Sequence, residues 1–128
     1  MVNAYFFDSY ALVEITKGNP RYISYTDSQI VITVFNLTEF IYSVLTDYGK
    51  EKAVQLCKKF DECVYDIDEA TVFEAMEFRK EHKKRNLSYA DCIGYIFARK
   101  NKLKFLTGDE QFRNFDNVEF VKAQEDKQ

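Results

Sequence analysis

The sequence predicts an α/β domain with a central parallel five-stranded sheet and helices on both faces. Three observations carry that expectation. Five short apolar or β-branched runs are spaced along the chain, amphipathic helical patterns fill the gaps, and 12 Phe and 9 Tyr against 4 Gly and 1 Pro supply the material of a packed core. Strands alternating with helices imply β-α-β units, hence a parallel sheet covered on both sides. At 128 residues the chain reads as one domain, 1–128, able to bury about two-thirds of the surface its unfolded form exposes. No linker or repeat interrupts it, and the last residues, about 123–128, read as a frayed tail.

The elements follow in order. "AYFF" (Ala4 to Phe7) is long enough for a buried strand and stops at Asp8, with a helix starting near Ser9. "IVITVF" (Ile30 to Phe35) is β-branched and reads as a second strand. A helix is expected from Asn36 to Tyr48, where Leu37, Phe40, Ile41, Val44, Leu45 and Tyr48 recur at helical spacing. A second amphipathic segment runs from about Lys50 to Phe60. "VYDI" (Val64 to Ile67) is a third short strand, weakened by Asp66. Helical pattern resumes from about Glu69 to Lys84 and again from Ser88 to Lys102. "KFLT" (Lys104 to Thr107) and "VEFV" (Val118 to Val121) are strands four and five.

Composition narrows the function. "MVNAYFF" has no basic leader, Asp8 and Glu14 interrupt the apolar run a secretory signal needs, and no window approaches a membrane span. Cys57, Cys63 and Cys92 are odd in number and lack zinc-site spacing, which predicts reduced thiols in the cytoplasm, with Cys57 and Cys92 as buried small hydrophobes. A net charge of −3 argues against simple coating of nucleic acid. Two basic clusters, "RKEHKKRN" and "RKNKLK", suit either solvated helix ends or attraction to phosphate. His82 is the single histidine and sits in a basic run, where it reads as a solvated surface residue; histidine-based nucleophilic catalysis is therefore disfavoured. No GxGxxG or Walker pattern occurs.

The fold class then gives the acids a place. With right-handed crossovers, every helix N-terminus lies at the carboxyl edge of the sheet, where ligands bind. Asp8 ends strand one and Asp109 follows strand four. Glu39 falls in the first turn of the helix after strand two, and Asp91 in the first turn of the helix leading into strand four. Each has an ordinary explanation: "NLTE" and "SYAD" fit capping boxes with Asn36 or Ser88 as the cap, and Asp8 and Asp109 could cap the turns that follow them. Together they form a different picture. Glu39 lies opposite the apolar stripe of its helix, and Gly94 and Ala98 would let the helix bearing Asp91 approach the sheet closely. Four acids on one edge repel unless protonated or bridged by cations. All-oxygen donors favour a hard ion, Mg²⁺ or Mn²⁺.

"YFFDSYALVEI", "NLTEF", "LSYADCIGYIFARKNKLKFLTGDEQF" and the closing "VEFV" resemble the successive blocks of a PIN domain, including the ribonuclease toxins of VapBC-type toxin–antitoxin pairs. The resemblance spans nearly the whole chain. It implies that Asp8, Glu39, Asp91 and Asp109 are the metal-binding catalytic acids, that Ser9 and Thr107 support them, and that Phe112 packs. Tyr10 stands where a small residue is often found, and Glu110 is an additional acid without an assigned role. The implied chemistry is hydrolysis of RNA phosphodiester bonds assisted by one or two Mg²⁺ or Mn²⁺ ions. Lys83, Lys84, Arg85 and Arg99 become candidate RNA contacts. The implied partners are an RNA substrate and an antitoxin. Some of Tyr10, Tyr22, Tyr25 and Tyr42 are expected to line an interface for an antitoxin helix or a second subunit.

The alternative is a catalytically silent PIN-fold module that binds RNA or protein. A repulsive acid cluster without chemistry argues against it. A phosphatase on a similar sheet is weaker still, since "FFDSY" lacks a D-x-D.

Overall fold

Phe6 and Phe7 point to opposite faces of one strand, and both are completely buried. That strand, β1 (Ala4–Phe7), therefore needs cover on both sides and lies inside the sheet. The computed structural model describes residues 4–124. After β1 come α1 (Ser9–Thr16), α2 (Pro20–Ile23), a 3₁₀ turn (Ser24–Asp27) and β2 (Gln29–Val31). The chain continues through α3 (Val34–Tyr48), α4 (Lys50–Asp61), α5 (Glu69–Glu81) and α6 (Tyr89–Lys100). It closes with β3 (Lys104–Thr107), a 3₁₀ turn (Glu110–Phe112) and β4 (Val118–Phe120).

The sheet has order β2-β1-β3-β4, and every described pairing is parallel. Alternation along the strands splits the core in two. Phe6, Val31 and Phe105 join a cluster with α5 and α6, while Phe7, Ile32 and Leu106 join one with α1, α3 and α4. Each fully buried Phe contributes about 1.5–3 kcal/mol. Helices on both faces follow from strands that are apolar on both faces.

The expected strand at Val64–Ile67 is not a strand. Val64 forms a single parallel bridge to Ile32, with Ile32 N–H donating to Cys63 O at 3.0 Å and Tyr65 N–H to Ile32 O at 2.8 Å. Tyr65 and Asp66 are exposed, and the chain leaves for the Asp68 cap of α5. Among the described residues the sheet thus has four strands. The second strand is also shorter than Ile30–Phe35, because Thr33 ends it by capping α3: its hydroxyl accepts from Phe35 N–H and Asn36 N–H. Asn36 is consequently not the cap. It is the third helical residue, and its side chain returns to Thr33 N–H at 2.7 Å while its amide donates to Phe7 O at 2.6 Å. Helix α5 stops at Glu81, before Lys84, and α6 begins after its Ser88 cap.

Close approach of α6 to the sheet is visible at Gly94. A Cβ there would lie 2.6 Å from Phe6 Cε1 and 3.3 Å from Phe105 Cε1, and those two rings are stacked at 5.6 Å. Gly94→Ala should destabilise by about 1–3 kcal/mol through overpacking, outweighing a helix-propensity gain of about 1 kcal/mol. Urea unfolding measures the balance, and an unchanged midpoint would mean the rings yield freely.

Of the four tyrosines near the first helices, one is buried, two are half-buried and one is exposed. Tyr22 is fully buried and donates to Val121 O, Tyr25 donates to Glu119 at 2.6 Å, and Tyr10 is half-buried. Tyr42, 72% exposed, is the one of the four that faces solvent. Tyr22 is therefore withdrawn from any interface, while the hydroxyls of Tyr10, Tyr22 and Tyr25 tie α1, α2 and the following turn to β4 and the residues just past it. The tail is anchored further than expected: Ala123 N–H donates to the Tyr10 hydroxyl and Ala123 O accepts from Asn19. Residues 125–128 of the expected tail lie outside the described residues.

His82 is also corrected. It is half-buried, with its ring 4.6 Å from that of Phe78 and 4.9 Å from that of Phe115. The three cysteines are free; Cys92 is buried, and Cys57 is only half-buried. No helix among the described residues is long and apolar enough to cross a membrane.

Candidate active site

Each acid is positioned by the local structure that begins where a strand ends. Asp8 follows β1 and caps α1, accepting from Ala11 N–H at 2.8 Å. Only 3% of it is exposed. Asp109 follows β3 and caps the next turn, accepting from Gln111 N–H at 3.0 Å. Asp91 is the third residue of α6 in a complete capping box: it accepts from Ser88 N–H at 3.0 Å while Ser88 Oγ accepts from Asp91 N–H at 3.0 Å. Glu39 lies in the second turn of α3, not the first, because the helix starts at Val34.

These four carboxylates line one cleft of about 680 Å³. Two hydroxyls link them. Ser9 Oγ donates to Glu39 at 3.1 Å. The fully buried Thr107 accepts from Asp109 N–H at 3.0 Å, and its side chain hydrogen-bonds the Asp8 carboxylate. Thr107 thereby sets the relative positions of two acids that are distant in sequence.

Burial dominates the electrostatics. It pushes the Asp8 carboxyl well above the usual carboxylate range, and repulsion from Asp91 and Asp109 adds to this, against hydrogen bonds from Thr107 and Ala11 that lower it. Asp91 is pushed up to about 6, first by burial and then by Glu39 and Asp109, with its bonds to Ser88 opposing. A desolvated cluster of like charges lowers its energy by taking up protons or a cation. The donors are all oxygen, which in kind fits a hard divalent ion. Among the described residues, no group of three His, Cys, Asp or Glu side chains is arranged to hold an ion as the side chains stand. Each acid is tied to its own neighbourhood, Glu39 by Ser9 and the others by backbone N–H groups.

The expected cations are elsewhere. Lys83 and Lys84 are exposed after α5 and do not line the cleft. Arg85 donates to Gln111 O at 2.7 Å and covers Phe115, and Arg99 covers Tyr95 in a separate hollow with Glu74, Glu77 and Glu81. Among the described lining residues, Arg79 is the one cation in the cleft. It was missed because charge density marks "RKEHKKRN" without marking direction. The available signal was its position four residues after Ala75 and one after Phe78, both buried, at the flank of the inward stripe. Phe35 and Tyr89, also cleft-lining, were missed as well. Glu110 is engaged outside the cleft, pairing with Arg113 at 3.2 Å and Lys122 at 3.0 Å. Phe112 is fully buried, its ring 4.8 Å from that of Phe105.

Comparison with known proteins agrees with this architecture. The family model described as PIN domain matches residues 5–118. No curated protein matches the sequence. Among solved structures, a toxin-antitoxin complex from Klebsiella pneumoniae superposes with a TM-score of 0.71 at 18% identity, covering 94% of this chain and 98% of the other. A Sarcin-Ricin loop cleaving toxin from Mycobacterium tuberculosis gives 0.70 at 18% identity, covering 89% and 98%. DNA bound VapBC from Salmonella typhimurium gives 0.69 at 16% identity, covering 97% and 100%. At these identities the likeness is one of fold.

Proposed function

The chain belongs to the PIN domain family, and from that premise we propose that it is a metal-dependent ribonuclease, the toxin of a toxin–antitoxin pair. The observation that carries this reading is the gathering of Asp8, Glu39, Asp91 and Asp109 in one cleft at the carboxyl edge of the sheet. Two of them sit at protonation equilibria displaced by burial and mutual repulsion. Such displacement is characteristic of functional carboxylates.

Asp8, Asp91, Asp109 and Glu39 would hold Mg²⁺ or Mn²⁺. When bound, such an ion supplies positive charge to the reacting phosphate and a source of hydroxide at neutral pH. The chain's own contribution is placement. Thr107 holds Asp8 relative to Asp109, Ser9 orients Glu39, and the Ser88 capping box fixes Asp91 on the first turn of α6. Arg79 offsets part of the cleft's negative charge toward an entering phosphodiester. Water adds across a P–O bond, leaving one product with a phosphate end and the other with a hydroxyl.

One observation favours the silent binding module: the acids are not spaced for a single ion as they stand. Both readings are decided by incubating the purified protein with single-stranded RNA in Mg²⁺, in Mn²⁺ and in EDTA. Cleavage in either metal and none in EDTA is expected. Activity that survives EDTA would remove the metal mechanism, and binding without cleavage in any buffer would favour the silent module. The partner we propose is a short antitoxin encoded beside it, and the similarity to VapBC complexes supports this. Co-purification with that neighbour's product is the expected result.

A further inference from the structure

We propose that Tyr89, backed by Arg79, is a stacking platform for the nucleobase beside the scissile phosphate; the proposal rests on the ribonuclease reading and names how that site holds single-stranded RNA. Tyr89 is the first residue of α6, two before Asp91, so one rigid turn carries both the ring and the carboxylate. The ring lines the acid cleft and is 62% exposed. It nevertheless does not swing freely. The Arg79 guanidinium lies 4.5 Å from its centroid, and Arg79 Nε–H also donates to Leu87 O at 3.2 Å.

The guanidinium is thus anchored to the loop that precedes α6 and covers one face of the ring. Among the described residues no other ring or cation packs against Tyr89, which leaves its remaining face for a planar group to stack on. Phe35, 39% exposed at the start of α3, lines the same cleft. Aromatic groups thus stand on two of the elements that frame an acidic floor.

That combination selects its occupant. A carboxylate floor filled by a divalent cation attracts phosphate, and an aromatic plane beside it attracts an unstacked base. Arg79 adds a positive charge near the entering backbone and a cation–π contact that holds the ring. A base in a duplex is already stacked and cannot use the platform, which commits the site to single-stranded RNA. Because every base has a π-face, the platform discriminates only weakly among sequences.

The test uses labelled single-stranded RNA oligonucleotides in which each nucleotide in turn is made abasic. Binding by anisotropy in Ca²⁺ and cleavage in Mn²⁺ are measured for the parent, Tyr89→Leu and Tyr89→Trp, with thermal unfolding of each. Tyr89→Leu should weaken binding roughly ten- to hundredfold, Tyr89→Trp should restore it, and unfolding should be unaltered at so exposed a position. For the parent, one abasic position should cost a similar factor; for Tyr89→Leu that same position should cost nothing further. Equal abasic losses in parent and Tyr89→Leu, or no recovery with Trp, would overturn the platform. Parental cleavage without the abasic signature defeats the platform alone. The signature without cleavage defeats the ribonuclease reading and leaves Tyr89 as an RNA-binding residue. RNA that is neither bound nor cut defeats both.

Discussion

Asp91→Asn is expected to reduce RNA cleavage by orders of magnitude while unfolding no more easily than the parent in EDTA. The two effects have different origins. An Asn side chain still offers an oxygen to the Ser88 N–H that Asp91 now satisfies at 3.0 Å, so the capping box is largely kept. The lost charge at a helix N-terminus costs about 0.3–1 kcal/mol. Against this stands relief of a destabilised charge: burial, Glu39 and Asp109 raise Asp91 from 3.8 to about 6. A carboxyl raised in the folded state makes stability fall as pH rises from the unfolded value to the folded one. In EDTA the parent's melting temperature should therefore decline between about pH 4 and pH 6, before reaching a plateau for this group. The variant should decline less steeply, though not flatly, because Asp8 is shifted in the same direction. Mn²⁺ should stabilise the parent more than the variant, since binding to the folded state alone raises stability. Thermal unfolding with EDTA and with Mn²⁺, beside an RNA cleavage assay, measures all of this. A variant that melts earlier in EDTA and cuts RNA at the parental rate would reduce Asp91 to a cap.

What could be read from the sequence divides along the distance over which its causes act. The limits of α4 follow from local periodicity, and Lys50–Asp61 differs from expectation by one residue. Ser88 and Asp91 form the capping box that "SYAD" spells. The run "IVITVF" misleads because β-branching favours a strand throughout, whereas Asn36 is drawn into a helix by the hydrogen bond its side-chain amide donates to Phe7 O, 29 residues away. Val64 had the right composition for a strand and the wrong continuation, with Tyr65 and Asp66 left in solvent. The acids could be placed on one edge because topology alone dictates where strands end. The cation beside them could not: Arg79 rather than Lys83 or Arg85 faces the cleft, and that is decided by the rotation of α5 as Ala75 and Phe78 enter the core. Tyr22 and Tyr25 exceed what a core visibly needs because their hydroxyls are received about a hundred residues later, by Glu119 in β4 and by Val121 just past it.

Gly108→Ala is expected to damage both stability and cleavage, and the cleavage more. Gly108 sits between Thr107 and Asp109, in the turn where β3 hands the chain to the acid cluster. A Cβ there would overlap Tyr10 Cε1 and lie 2.5 Å from Val121 O. The ring is held by its hydroxyl, which accepts from Ala123 N–H at 3.3 Å, and the carbonyl belongs to the segment whose Val121 N–H donates to Thr107 O at 2.9 Å. Neither neighbour is the free end of a flexible chain, so the turn itself must move. Overpacking of this kind costs about 1–3 kcal/mol. The same movement shifts Thr107 and Asp109 relative to Asp8, and a displacement of about 1 Å at a reacting centre can lower the rate roughly 10²-fold. Tyr10→Ser in the Gly108→Ala background removes the ring from the conflict and leaves the carbonyl. The double variant should therefore recover part of the stability lost by Gly108→Ala, a positive coupling measurable by urea unfolding of the two single variants and the pair. If Gly108→Ala unfolds and cuts like the parent, the turn has slack and Gly108 does not restrain Asp109. If the double variant recovers nothing, the Val121 carbonyl alone sets the limit, and Tyr10 has no part in shaping the cleft wall.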